Sequence, residues 1–237
     1  MAKYCSMTVV APITRTCSFS MEHLGDMLRQ FLPVRRFLRF RDFAPGQSAE
    51  NVCLLRHDVD VSLEYAERVA RVEQEIGVSA TYFIRMRANG YNPLGRRGRT
   101  ALFSIERGGG EVGLHYEGII GAENPDRAWR RFLLEKEMLE DLLGHPVGVA
   151  LHMPSRCRDF DHSALQGCGV LYQTSSDERF GGLTFVSDSN RNWRNGCLCE
   201  HLRGSTGLHA LLHPVWWVPE VRAADTETIV RGLAEGD

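Results

Sequence analysis

Two carboxylates stand two residues apart in the run Leu54-Leu55-Arg56-His57-Asp58-Val59-Asp60-Val61. Residues i and i+2 of a strand share a face, so Asp58 and Asp60 point one way while His57 and Val59 point the other. Neighbouring carboxylates repel unless a cation or a shared proton relieves them, and a metal ion is the first suspect. Further along the chain, polar residues close other apolar runs: His115 in EVGLHYE, His152 in VALHMPS, Asp188 in LTFVSDS and His213 in LLHPVWW. A carboxylate with several imidazoles suits a borderline divalent cation such as zinc, with one position open for water. Taken singly, each histidine reads equally well as a hydrogen-bonded core residue; their recurrence makes them a group.

Residues so far apart meet only if the fold gathers the ends of these runs. The sequence supplies such a framework. Ser20 can cap a helix in which Leu24, Met27, Leu28, Phe31 and Leu32 recur at helical spacing before Pro33. From residue 52 the pattern becomes strand (52–55), helix (62–76, with Ala66, Val69, Ala70, Val72 and Ile76 on one stripe), stop at Gly77 and strand (80–84). That is a βαβ unit, which implies parallel strands. A strand at 111–114 follows the turn Gly108-Gly109-Gly110, and a helix is expected over 125–143. Further strands are expected at 147–151, 170–173, 183–186 and 210–212. The reading is α/β: a single barrel of parallel strands over 51–237, complete or incomplete, with chemistry at the C-terminal strand ends. Residues 1–50 form an N-terminal extension whose adaptor helix packs on that barrel.

Bulk properties exclude several function classes. With 237 residues, 43% of them hydrophobic and 24% charged, the chain can bury a sizeable core. Twenty-eight basic against 30 acidic residues gives no electrostatic case for nucleic acid or a membrane surface as the principal partner. The arginines at 35, 36, 39 and 41, and at 96, 97 and 99, read as solvated surface. No apolar run is long enough for a transmembrane segment and no secretory signal pattern opens the chain, so a cytoplasmic location is expected. Seven cysteines, an odd number, fit reduced thiols better than a disulfide framework. Cys197 and Cys199 make a C-x-C pair, but no second pair at suitable spacing completes a zinc site, so both are read as structural.

Six strings in this order, LRHDVDVS, GVSATYF, GGEVGLHYE, HMPS, SDSNRNW and LLHPVWW, resemble the polysaccharide deacetylase family (carbohydrate esterase family four, NodB-homology domain), in a divergent branch with an H-D-V-D first motif. The resemblance covers roughly residues 52–217. It implies a distorted (β/α) barrel and a divalent metal, most commonly zinc, used to remove acyl groups from amino sugars. Carried over by motif, it makes Asp58 the general base, Asp60 and His115 metal ligands, and His213 the acid that protonates the leaving group, with Asp188 tuning His213. Two positions depart from the family pattern. Ile119 stands where the second histidine of an H-x-x-x-H metal motif is expected, and HMPS puts His152 where an arginine normally orients the base. His152 then either supplies the missing imidazole or only contacts Asp58 or the substrate; His57 is a lower-ranked third ligand, since strand alternation turns it from Asp60. Trp216 and Trp217 either form a face for a sugar ring or pack in the barrel wall. Tyr116 and Glu117 are candidates for the mouth, and Arg156 and Arg158 for a substrate phosphate or carboxylate. The expected partner is a small carbohydrate or glycan precursor. Competing readings are hydrolysis of another acyl amide or C–N bond, and a catalytically inactive glycan-binding relative.

Overall fold

A computed structural model describes residues 17–118, 125–154 and 162–235. Its centre is a seven-stranded, wholly parallel sheet. The strands are β1 (Arg36–Leu38), β2 (Val52–Val59), β3 (Thr81–Ile84), β4 (Glu111–Glu117), β5 (Val149–His152), β6 (Thr184–Ser187) and β7 (Leu208–Leu212). Spatial order runs β5-β4-β3-β2-β7-β6. Along β2, β7 pairs with residues 53–57, β1 with 52–54 and β3 with 56–59. Because β7 overlaps both registers, β1 and β3 must share the opposite edge of β2. A bridge from Val149 to Gln173 extends the β5 edge. Among the described residues no ladder joins that edge to β6, so the sheet curls into a distorted barrel whose wall stays open there.

The helices are α1 (Met21–Phe31), α2 (Leu63–Ile76), α3 (Arg96–Arg107), α4 (Pro125–Leu143), α5 (His162–Gln166) and α6 (Thr226–Glu235). Two show why they begin where they do. Ser20 Oγ accepts from His23 N at 3.2 Å, and Ser62 Oγ accepts from Tyr65 N at 3.3 Å, each satisfying an otherwise unpaired first-turn donor. Gly77, at φ +88°, ends α2 in the left-handed conformation. Leu63, Ala66 and Val69 bury one face of α2 against the sheet, and Glu73 continues that buried face as a carboxylate.

Strand parity sorts the core into two compartments. Cys53, Leu55 and Val59 of β2 join the cluster beneath the helices, while Val52 and Leu54 join Phe40, Phe83, Ala150 and Tyr172 inside the barrel. Gly148 leaves room for this interior: a Cβ there would lie 2.0 Å from the Tyr172 ring. At the strands' N-terminal end the buried Glu111 accepts from Tyr172 Oη at 2.7 Å and Thr81 Oγ1 at 2.8 Å, and pairs with Arg41 at 3.0 Å. That network closes one end of the barrel.

Several elements differ from expectation. β2 and β4 run on through Val59 and Glu117, so Asp58 and His115 lie within strands rather than after them. Residues 170–173 contribute a single bridge, not a strand. The three-residue β1 is too short to show a period, and α3 and α6 are not among the expected helices although each is amphipathic, α3 burying Ala101, Leu102 and Ile105 on one face. β1 lies within the segment read as an extension, yet it pairs with β2, and Phe40 and Phe43 beyond it are buried in the barrel interior. Among the described residues no helix is long and apolar enough to cross a membrane.

Candidate metal centre and active site

At the C-terminal strand ends the parity that fills the barrel with apolar side chains delivers polar ones. Arg56 and Asp58 of β2, with Asp60 beyond it, line a cavity of about 820 Å³ together with His115 of β4, His152 of β5 and His213 after β7. That volume is within the range of small-molecule sites. His57 takes the other face: its ring stacks on Tyr82 at 4.5 Å, and its Nε2 meets the buried Glu73 carboxylate at 2.6 Å. It faces away from the cavity.

Three ligand atoms converge. His115 Nε2 and His152 Nδ1 are 3.2 Å apart, and each lies 3.4 Å from Asp60 Oδ1. A tetrahedral zinc with N and O ligands at about 2.0–2.1 Å would hold such atoms about 3.3–3.4 Å apart. Two further observations favour a cation between them. Asp60 Oδ1 is buried and has no hydrogen-bond partner among the described residues, and an orphaned carboxylate oxygen is costly without a positive charge. His115 Nδ1 lies 3.1 Å from the carbonyl oxygen of Ala150, which can only accept. In the neutral ring Nδ1 therefore carries the hydrogen and Nε2 turns its lone pair inward. Burial lowers the pKa of His152 despite the opposing charge of Asp60, favouring the neutral ring that a metal needs. Burial opposes ionisation of Asp60, but the nearby His115 imidazole, then His152 and His213, outweigh it and hold the carboxyl well below the usual range.

Asp58 lies beside this cluster, with Oδ2 3.4 Å from His115 Nε2. Arg56, two residues earlier on the same strand face, clamps it through a two-pronged bond: Nε to Oδ1 at 2.7 Å and Nη2 to Oδ2 at 2.8 Å. Arg56 Nη1 also donates to Thr174 Oγ1 at 3.1 Å, fixing the guanidinium plane. Burial would raise the Asp58 pKa, but the Arg56 charge and hydrogen bonds, with His115 and His213, keep it lowered and the group anionic. Arg56 is absent from the residues expected at the site; its i, i+2 relation to Asp58 is the signal in the sequence that could have found it.

On the other side His213 Nε2 lies 3.8 Å from Asp60 Oδ2, while its Nδ1 contacts Asp188 Oδ1 at 2.6 Å. The fully buried Asp188 also accepts the His213 backbone N–H, 3.0 Å from each of its oxygens, and Trp217 Nε1–H at 2.9 Å. Burial works against the imidazolium of His213, but the charge and hydrogen bond of Asp188, aided by Asp60 and Asp58, push its pKa up to about 9. His209, unnoticed in the sequence although it shares the parity of His213, lines the same cavity; burial and the Arg56 charge pull it down to about 3.

Other sequence candidates fall elsewhere. Trp217 is wholly buried and spends its indole N–H on Asp188, so it offers no sugar platform. Trp216 borders the cavity but is 1% exposed and packs in the wall. Tyr116, adjacent to the inward His115, points outward by parity: its hydroxyl donates to Ala128 O at 3.0 Å, and its ring packs on Phe132. Glu117 is buried against Arg85, behind His152. Ile119, Arg156 and Arg158 lie outside the described residues. The C-x-C pair is not isolated: Cys17 and His23 lie with Cys197 and Cys199 in one cluster.

No family model matches the chain, and no curated protein matches it. Among solved structures it is similar to a family 4 carbohydrate esterase from Bacillus anthracis, at 15% identity over 90% of this chain and 84% of that one, with a TM-score of 0.46. It is also similar to a Streptococcus pyogenes deacetylase in complex with acetate, at 13% identity over 95% and 93%, TM-score 0.47. A third is a mutant, with restored enzymatic activity, of a carbohydrate esterase family 4 pseudoenzyme from Bacillus anthracis: 15% identity over 77% of this chain, TM-score 0.43. The chain spans 62% of that structure's length. At such scores these likenesses carry no argument about function, which rests on the side chains that line the cavity.

Proposed function

We propose that the protein is a metal-dependent hydrolase that removes an N-linked acyl group, acetyl first among them, from an amino sugar or glycan precursor. One observation carries this reading: Asp60, His115 and His152 converge at the spacing of a zinc coordination shell, with Asp58 on one flank and His213 on the other. A divalent cation held by Asp60, His115 and His152, zinc by the chemistry of these ligands, would supply Lewis acidity toward the acyl carbonyl and lower the pKa of water there.

The chain's own groups divide the proton work. Asp58 accepts the proton of the attacking water, and Arg56 keeps the carboxylate ionised and aimed. Both Asp58 oxygens bond to the guanidinium in its plane, so each proton must enter through a remaining lone pair. His213 commits Nδ1 to Asp188 and holds Nε2 toward the cluster, from which it donates to the departing amine. A group that releases its proton near pH 9 remains an acid at neutral pH. The amino-sugar assignment is supported by the motif order, and the cavity has room for a sugar ring.

Acetate release by zinc-loaded protein tests this, using N-acetylated amino-sugar oligomers beside simple N-acyl amides. The expected result is release from the sugars and loss of turnover in Asp58→Asn and His213→Gln. Turnover of simple amides alone overturns the sugar assignment. No turnover by a protein that holds zinc and binds the oligomers overturns the hydrolase.

A further inference from the structure

A second group of metal-ligating side chains lies outside the catalytic cluster. Cys17 precedes α1, His23 sits in its first turn, and Cys197 and Cys199 flank the start of a 3-10 turn at Leu198–His201. Their ligand atoms all lie within 4.8 Å of one another. His23 Nε2 is 3.5 Å from Cys197 Sγ, and Cys17 Sγ is 3.3 Å from Cys199 Sγ. Tetrahedral zinc, with sulfur at about 2.3 Å and nitrogen at about 2.0–2.1 Å, would set nitrogen and sulfur about 3.5 Å apart and two sulfurs about 3.8 Å apart. The first distance matches and the second is close. A disulfide needs its sulfurs about 2.0 Å apart, well inside the Cys17–Cys199 separation.

We propose that Cys17, His23, Cys197 and Cys199 form a structural zinc site that pins the segment before α1 onto the 197–199 loop. Three thiolates and one imidazole complete a closed shell of the kind that leaves no position for substrate. Binding a zinc ion releases three thiol protons to solvent and changes no oxidation state.

The location gives the site a purpose. The His23 ring stacks on Trp217 at 6.3 Å, and Phe19, between Cys17 and His23, packs on both Trp193 and Trp217. Trp217 in turn donates to Asp188, the partner of His213. The zinc would therefore anchor the aromatic layer behind the proposed acid. This explains why a chain segment 182 residues away in sequence is held at the back of the active site.

Cobalt(II) added to the reduced, metal-free full-length protein separates this site from the catalytic one, because only thiolate ligation gives sulfur-to-cobalt charge-transfer absorption. The expected result is that band in wild type and in Asp60→Asn, its weakening in Cys17→Ser, whose position is exposed, and its loss in Cys17→Ser with Cys199→Ser. Zinc content should fall by one ion per chain in that double variant. Absence of the band from wild type, its persistence in Cys17→Ser with Cys199→Ser, or a Cys17–Cys199 disulfide in place of bound metal would each overturn the proposal. None of these outcomes depends on whether the catalytic cluster binds metal or turns over a substrate.

Discussion

Replacing Asp188 with asparagine removes the charge behind His213 while leaving an oxygen for the indole N–H of Trp217. In the native chain burial disfavours the His213 imidazolium, and Asp188, with Asp60 and Asp58, more than offsets it to bring the pKa from 6.5 to about 9. That rise corresponds to about 3 kcal/mol in favour of the folded state. The folded value lies above the unfolded one. The stabilisation is therefore complete below about pH 6.5 and disappears as pH climbs through about 9. Without the carboxylate, burial dominates and the midpoint should fall to about 6.5 or lower. At about pH 7.5 the protonated fraction would drop from nearly all molecules to about a tenth, and a reaction that needs this acid would slow about tenfold. Histidine ring NMR of the metal-free protein reads both midpoints, with His213→Gln assigning the resonance. Metal-free protein is the right sample because a cation on Asp60 would cancel that residue's share of the shift. A wild-type midpoint near 6.5, or an Asp188→Asn midpoint still near 9, would refute the reasoning.

Three other substitutions probe the scaffold. Arg56→Met leaves Asp58 buried without its clamp and should cost about 3–5 kcal/mol in urea unfolding at neutral pH; a loss under about 1 kcal/mol would contradict the assignment. His57→Gln should lower stability, because it disturbs the bond to Glu73, while leaving zinc affinity at the catalytic cluster unchanged by calorimetry; lost affinity would restore His57 as a ligand. Gly148→Ala puts a Cβ 2.0 Å from the Tyr172 ring and should cost about 1–3 kcal/mol by overpacking; an unchanged thermal midpoint would show that the interior yields easily.

How much of the molecule is legible in its sequence depends on how far each signal reaches along the chain. The βαβ unit and α4 are legible because caps, apolar stripes and stops are local. Parity along β2 separates Asp58 and Asp60 from His57 without any coordinates. The same rule, applied from His115, turns Tyr116 outward, and applied from Asp58, finds Arg56. β1 and α3 escape notice because three residues carry no period and α3 is largely polar. The strands run longer than expected because Asp58 is offset by Arg56 on its own strand and His115 by the Ala150 carbonyl of β5, pairings that an apolar pattern alone does not record. The Cys17, His23, Cys197 and Cys199 cluster lacks any spacing signature, since two of its ligands enter from the far end of the chain.

Anomalous diffraction at the zinc edge, from crystals of the zinc-loaded protein, examines the catalytic cluster most directly. The expected map has a peak about 2.0–2.2 Å from an Asp60 oxygen, His115 Nε2 and His152 Nδ1. A zinc ion bound instead by His57, or no peak among Asp60, His115 and His152 at saturating zinc, would contradict it.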